Sequence, residues 1–421
     1  MNYTRDEVLQ YIEENDVKFI KLFFTDIFGT IKSISIQPGE LERAFDTGIS
    51  FDASALKGFL NVQESDLFLV PDPATLSILP WRPQHGRVVR FFCSIKYPDG
   101  RFFEGDTRHI LEETAEKAEK LGYKIKAGTD CEFYLLKNDE NGEPTKIPLD
   151  HAGYCDLAPK DKGENVRRNI CLTLEQMGIP PESSHHEDGP GQQEVDFKNS
   201  SLLPAADNFA TFKTVVETVA ASNGLHASFL PKPLENETGS GLHINLTLLK
   251  NSRNIFLGDK LTDEASWFTA GIISHIKEIT AFLNPLESSY KRLGSFDAPR
   301  YITWSRHNRG QLIRIPAAAD SMKRLELRSP DPSCNQYLAF ALLVNAGLDG
   351  IEKKMPLQNE VNKNLFEEKL SEMKGIDKLP SSYEDAKAVA LESDFVKKVL
   401  PSVSLAWFRS SSDFANGDAI Q

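Results

Sequence analysis

Four short stretches of this chain alternate strictly, and in each the polar face is made of charged or ligand-type residues. In Leu242-His243-Ile244-Asn245-Leu246-Thr247-Leu248 a period of two sends His243, Asn245 and Thr247 to one face and four aliphatics to the other. Arg324-Leu325-Glu326-Leu327-Arg328 puts two arginines and a glutamate on one face. Asp130-Cys131-Glu132-Phe133 and Glu194-Val195-Asp196-Phe197 each present two carboxylates in the same way. One such strand commonly faces solvent, but solvated faces also draw freely on Lys, Thr and Ser. Four of them, built from carboxylates, a histidine and arginines, constrain the chain to a sheet with one apolar face and one face that carries chemistry.

Asp130, Glu132, Glu187, Glu194 and Glu326 supply five carboxylates, and His243 one imidazole. So many like charges on facing strands repel unless divalent cations neutralise them, and hard oxygen ligands in this number point to Mg²⁺ or Mn²⁺, two or more per site. His185-His186 has neither cysteines nor an HExxH spacing beside it, so these histidines are expected to orient neighbouring ligands rather than hold zinc. The segment from Lys291 to Arg328 holds nine basic residues against Asp297, Asp320 and Glu326. Arginine forks grip phosphate and carboxylate oxygens in pairs, which points to a transferred phosphate. There is no GxxxxGK[ST] and no GxGxxG, so ATP would be held through metals and arginines.

The whole chain is acidic, with 61 Asp+Glu against 48 Lys+Arg in 421 residues, which argues against a nucleic-acid partner. No apolar run reaches the length of a membrane span; Tyr337 to Leu348 reads as a buried helix. The amino terminus lacks signal-peptide character, and five cysteines without a CxxC pair fit reduced thiols in the cytoplasm. The length favours two domains. Residues 1–103 read as a small sheet-rich domain: the capping box Thr4-Arg5-Asp6-Glu7 opens a helix ending near Asn15-Asp16, and strand-like runs follow at 17–25, 75–79 and 87–95. Residues 104–421 read as an α+β catalytic domain, with helices at 107–121, 164–177, 207–223, 263–283 and 332–348 and strands at 124–136, 191–197, 242–249, 312–315 and 323–328. The charged, weakly periodic stretch from Lys353 to Ser382 is expected to be a mobile surface excursion.

A set of motifs in fixed order then stands out. Among them are Phe51-Asp52-Ala53-Ser54, Glu104-Gly105-Asp106, Ser184-His185-His186-Glu187 and Gly191-Gln192-Gln193-Glu194. Further along come Gly239-Ser240-Gly241-Leu242-His243, Ser289-Tyr290-Lys291-Arg292-Leu293, Asn308-Arg309, Ile313-Arg314-Ile315-Pro316 and Glu326-Leu327-Arg328-Ser329-Pro330-Asp331-Pro332. With these the chain resembles the type I branch of the glutamine synthetases, from about residue 17 to 350. The resemblance implies an α+β fold: a small amino-terminal β-grasp domain, and a larger catalytic domain with an antiparallel strand funnel flanked by helices. It also implies a homo-oligomer, a hexameric ring that can stack into a dodecamer, in which the neighbouring subunit completes each site.

The activity implied is an ATP-dependent carboxylate-amine ligase that forms glutamine from glutamate and ammonium through a γ-glutamyl phosphate. Carried over, Glu132, Glu187 and Glu194 would hold one metal, and Asp130, His243 and Glu326 a second near the nucleotide phosphates. Glu182, Asn245, Thr247, Arg314 and Arg324 match nucleotide or phosphate positions, and Gly239, Arg292, Arg309 and Arg328 match positions that grip glutamate or its phosphorylated form. Asp52, from the adjacent subunit, would help deprotonate ammonium, and Asp297 sits in a loop that closes over the intermediate. Asp130 and Asp297 stand where the family usually has Glu, Thr238 where it has Asn, and Ala53 and Ala55 alter the pattern beside Asp52. These departures keep two alternatives open, a γ-glutamyl ligase using another amine or a glutamate analogue, and a non-catalytic metabolite-binding homologue. Phe366 stands about where the adenylylated branch has tyrosine, which argues against that control. The polar tail after Phe408 corresponds to the segment that tethers stacked rings.

Overall fold

Thr4 opens the first helix, Arg5–Glu14, with both halves of the expected capping box in place. The chain then enters strand Val17–Thr25, which pairs antiparallel with Ile31–Ile36 and parallel with Arg87–Lys96. Asp66–Pro71 and Ile49–Asp52 extend the other side, giving the order Ile31–Ile36, Val17–Thr25, Arg87–Lys96, Asp66–Pro71, Ile49–Asp52. One face of this sheet closes on a separate core that includes Val8, Ile20, Leu22, Leu41, Leu69, Val89 and Phe91. This is the β-grasp domain. The computed structural model describes residues 3–410 apart from 57, 60–64, 259, 317, 320, 321 and 367–374. Asp320, part of the stretch Lys353–Ser382 and the tail from residue 411 onward therefore lie outside the described residues.

The second sheet is organised around the 16-residue strand Tyr123–Asn138. Leu242–Lys250 runs antiparallel along one edge of it and Gln192–Phe197 along the other. Beyond Leu242–Lys250 come Leu325–Leu327, Ile313–Ile315 and Trp304–Arg306, the last pair parallel, and beyond Gln192–Phe197 comes Pro181–His186. The aliphatic faces behave as their alternation predicts: Leu242, Ile244, Leu246, Leu248, Leu325 and Leu327 are fully buried. They belong to one large core with residues of helices Thr107–Lys120, Leu202–Ser222, Asp263–Leu283 and Gln336–Lys353. The last two helices approach closely, because a Cβ on Gly271 would sit 2.2 Å from the Ala346 carbonyl and 2.7 Å from the Gly350 Cα. Among the described residues no helix is long and apolar enough to cross a membrane.

Buried charges join the two domains. Arg108 Nη2 donates at 2.9 Å to Asp72 of the β-grasp domain and at 2.9 Å to Asp207, which also accepts from the Tyr337 hydroxyl at 2.7 Å. Arg90 reaches the Thr75 carbonyl and the Thr211 hydroxyl. Arg108 and Asp207 are paired, which is the condition for keeping such charges buried, whereas Arg90 is held by neutral oxygens.

Several elements differ from expectation. The 75–79 run holds only the two-residue strand Ser77–Ile78, because Asp72 caps a 3₁₀ turn at Pro73–Thr75 through the Ala74 amide. The helix expected at 332–348 starts at Gln336, where the Asn335 side chain accepts from the amides of Tyr337 and Leu338. The Lys353–Ser382 stretch is anchored over part of its length rather than free. Glu360 receives Arg306 at 3.0 Å, the Gln358 carbonyl receives Trp304 Nε1 at 2.8 Å, and Leu365 and Leu379 are buried.

Candidate active site

Strand register brings the expected carboxylates together. On the polar face Glu194 lies opposite both Glu132 and His185, Asp196 opposite Asp130, and Asp130 opposite His243. Glu326 lies between Asn245 and Arg314 on its two neighbouring strands. The result is a cleft of about 710 Å³ lined by Asp130, Glu132, Glu182, Glu187, Glu194, His243 and Glu326 on the acidic side. Facing them are Arg292, Arg309, Arg314, Arg324 and Arg328, with Thr238, Gly239 and Asp297 at its rim.

Two groups of possible cation ligands share this cleft. In the first, Asp130, His243 and Glu326 offer ligand atoms that all lie within 4.8 Å of one another. His243 stands between two carboxylates, Nδ1 3.9 Å from Glu326 and Nε2 3.9 Å from Glu132. Burial, then Arg328 and the other arginines, push His243 well below the usual imidazole range, which keeps it neutral and able to donate a lone pair. In the second, His185, Glu194 and Asp196 meet the same 4.8 Å criterion. Burial raises Asp130 to about 7, helped by Asp196, and raises Glu132 to about 7, helped by Glu187. Glu194 is pushed well above the ordinary carboxylate range, by burial first and then by Asp196 and Glu132. Oxygen-rich, mutually repelling and buried, this donor set fits hard divalent cations.

Several of the ligand candidates are held by neighbouring side chains and amides. Asn245 Nδ2 donates to both oxygens of Asp130 at 3.0 Å, while its own oxygen accepts from Arg324 Nε at 2.9 Å. Glu132 accepts from the Gly241 amide at 2.9 Å and from Gln192 Nε2 at 3.0 Å. Arg314 and Arg328 each take one oxygen of Glu326, at 2.9 and 2.7 Å. His185 Nε2 lies 2.8 Å from Glu187, and His186 bonds the Glu187 carbonyl through Nδ1 and Asp150 through Nε2 at 2.9 Å. Asp150 also accepts from the amides of Lys162 and Gly191. Burial opposes its ionisation, but these bonds win and hold it at about 2. His186 thus sits where an orienting residue would, while His185 both touches Glu187 and offers a ligand atom beside Glu194 and Asp196.

Not every expected residue lines the cleft. Asn245 and Thr247 are buried in the strand behind it, Asn245 acting as the link between Asp130 and Arg324. Asp52 is exposed at the end of its β-grasp strand, where it accepts from the Ser54 amide and hydroxyl, and it is absent from the lining of its own chain's cleft. The cleft in turn contains Asp196, read from sequence only as part of a polar strand face, and Asp188, Ser183 and Tyr154, which were not singled out. Asp196 carried a signal, since it shares the polar face of Glu194. Tyr154 lies in a loop with no periodicity to expose it, and its ring packs edge-on against His185.

Sequence comparison addresses this architecture directly. A family model described as the glutamine synthetase catalytic domain matches residues 104–412, and one described as the glutamine synthetase β-grasp domain matches residues 16–98. The chain belongs to the glutamine synthetase family. A glutamine synthetase of Clostridium saccharobutylicum is 46% identical over 405 residues, covering 94% of this chain and 91% of that one. One of Methanosarcina mazei is 45% identical over 404 residues, covering 94% and 90%. Among solved structures, a GmaS/ADP complex superposes with a TM-score of 0.88 at 29% identity, covering 97% of this chain and 95% of that one. Plasmodium falciparum glutamine synthetase shares the fold, with a TM-score of 0.85 at 24% identity and coverage of 98% and 96%.

Proposed function

We propose that the protein is a glutamine synthetase: an ATP-dependent ligase that joins ammonium to the side-chain carboxylate of glutamate through γ-glutamyl phosphate. The observation that carries this reading is a single cleft in which six metal-type ligands face five arginines, in a chain of this family. A solved neighbour of this fold is a GmaS complex with ADP, which supports nucleotide binding.

In this reading Asp130, His243 and Glu326 would hold one Mg²⁺ or Mn²⁺, and Glu132, Glu187 and Glu194 another, although the atoms that meet around Glu194 are those of His185 and Asp196. Such cations would supply charge neutralisation and orientation of phosphate oxygens when bound. A carboxylate is a poor acyl donor, so the chain must first make it a better one. Arg314 and Arg324 hold the nucleotide phosphates, with Glu182 toward the nucleotide, and Arg309 and Arg328 spread the charge of the transferring phosphoryl group. Arg292, pinned by the Ser329 carbonyl at 2.8 Å, and the Gly239 backbone grip the glutamate. Gly239 has no alternative there, because a Cβ would meet the Pro231 carbonyl at 2.4 Å. Ammonia then displaces phosphate, with Asp297 at the rim and Asp52 from a neighbouring subunit taking the proton from ammonium. Asn245 and Thr247 support the phosphate side from within the strand.

We take residues 1–103 and 104–421 as the two domains, assembled as a homo-oligomeric ring of six, single or stacked. The position of Asp52 outside its own chain's cleft supports sharing of sites between subunits. The five free thiols fit the reducing cytoplasm. The test is ATP-dependent phosphate release with Mg²⁺, with glutamate and ammonium alone and together, and the product identified by mass. Glutamine formation that saturates with ammonium is expected; phosphate release that requires a different amine overturns the assignment.

A further inference from the structure

The rim of the cleft contains a strained residue that the reaction as described does not use. Phe296, between Ser295 and Asp297, has φ of 51°. A bulky side chain in the left-handed region is a real outlier, and such strain persists where the surroundings hold it. The residue is also 52% exposed, so burial in its own core does not explain the conformation. What holds the ring is a cation: Lys232 Nζ lies 4.6 Å from its centroid.

Lys232 belongs to the segment that leads into the glutamate-gripping backbone. Its ammonium also donates to the Glu237 carbonyl, the Pro231 carbonyl accepts from the Ser240 amide at 3.0 Å, and the Thr238 carbonyl accepts from the Tyr134 hydroxyl at 2.5 Å. This segment is therefore fixed to the sheet. The rim loop is closed at its neck by the Gly294 amide on the Ala298 carbonyl, 2.9 Å, and tied to Arg292 by the Ser295 hydroxyl, 2.6 Å. Its tip is Phe296-Asp297. Within that tip, Asp297 lines the cleft and Phe296 points to Lys232.

Resting on the glutamine synthetase reading, we propose that Phe296 is a positioning residue, latched by Lys232, that holds Asp297 over the cleft and keeps water from the acyl phosphate. When the latch opens, water competes with ammonia. Its oxygen bonds to the γ-carbonyl carbon, the bond from that carbon to the phosphate oxygen breaks, and inorganic phosphate leaves. Glutamate is regenerated and a proton passes to solvent, so ATP is spent without glutamine. Phe296 lies at the surface, so its substitution leaves the fold intact.

The experiment uses the full-length oligomer and the variants Phe296→Ala, Phe296→Tyr, Lys232→Met and the Ala/Met double. Phosphate released per glutamine formed is measured at limiting ammonium, and hydrogen exchange of the Gly294 amide is followed in the absence of substrates. An exposed cation–π contact predicts that Phe296→Ala and Lys232→Met each raise both the ratio and the exchange rate about 2–5-fold. Phe296→Tyr should stay at the parent ratio, and the double variant should add nothing. A ratio that stays at the parent value in Phe296→Ala, unchanged exchange in Lys232→Met, or additive effects overturn the latch. If the parent forms no glutamine while Lys232→Met still speeds exchange, the latch stands and the assigned reaction falls.

Discussion

Glu326 concentrates the chemistry of the site in one side chain. It lies between two arginines, each taking one of its oxygens, and 3.9 Å from His243. Replacing it by Gln removes a metal ligand and strips both guanidinium groups of their counter-charge. Glu326→Gln is expected to lower kcat/KM by about two to three orders of magnitude, read in the coupled phosphate assay. Asp130 and Glu132 make a second point, about protons. Their carboxyls are raised to about 7, against roughly 4 in an unfolded chain. The folded protein therefore binds protons more tightly than the unfolded one, so this contribution to stability is full below about pH 4 and is lost as pH rises through about 7. Metal-free protein should melt lower at pH 8 than at pH 6, and Mn²⁺ should raise the melting temperature more at pH 8, where no proton must be displaced. A differential scan with and without chelator reads both; a flat profile would show that these carboxylates ionise freely without metal.

Among the elements, period-two strands proved the most legible part of the sequence. Leu242–Lys250, Tyr123–Asn138 and Gln192–Phe197 form with the polar faces that alternation demands, because each side chain's face is fixed by its parity. Pro181–His186 was not legible as a strand: it opens on a proline, whose missing amide costs nothing at the first strand position, and it shows no alternation of apolar and polar residues. Register was invisible as well, since which carboxylate faces which depends on pairing between strands distant in sequence. That is why Asp150 escaped notice while its partner His186 did not, and why Asp196 was legible as a carboxylate on the polar face but not as a neighbour of Asp130. Asp150→Asn would weaken the anchor of His186, and with it the turn carrying Glu187. Mn²⁺ affinity measured by electron paramagnetic resonance should fall about tenfold, with the melting temperature little changed at saturating metal. The helix pair offers a contrasting test of packing alone. Gly271→Ala forces Asp263–Leu283 away from the Ala346 carbonyl and should cost about 1–3 kcal/mol in denaturant unfolding.

For the whole molecule, Asp52 lies outside the cleft of its own chain, so its proposed role makes activity depend on assembly. A variant lacking Asp52 and one lacking Glu326 each have defective sites. If the proposed ring takes each cleft from one subunit and its Asp52 from another, equal co-expression should restore roughly a quarter of parental activity. Recovery of none would show that Asp52 serves its own chain. Sheet order also carries a consequence for biosynthesis. The central strand Tyr123–Asn138 finds its partners Gln192–Phe197 and Leu242–Lys250 well before Ile313–Ile315 and Leu325–Leu327 leave the ribosome. The acidic wall is thus translated ahead of most of the arginines that face it, and the nascent chain passes through a stage of uncompensated negative charge. At that stage cellular Mg²⁺ or protons must stand in for Arg314, Arg324 and Arg328, so synthesis under magnesium starvation should favour aggregation over assembly.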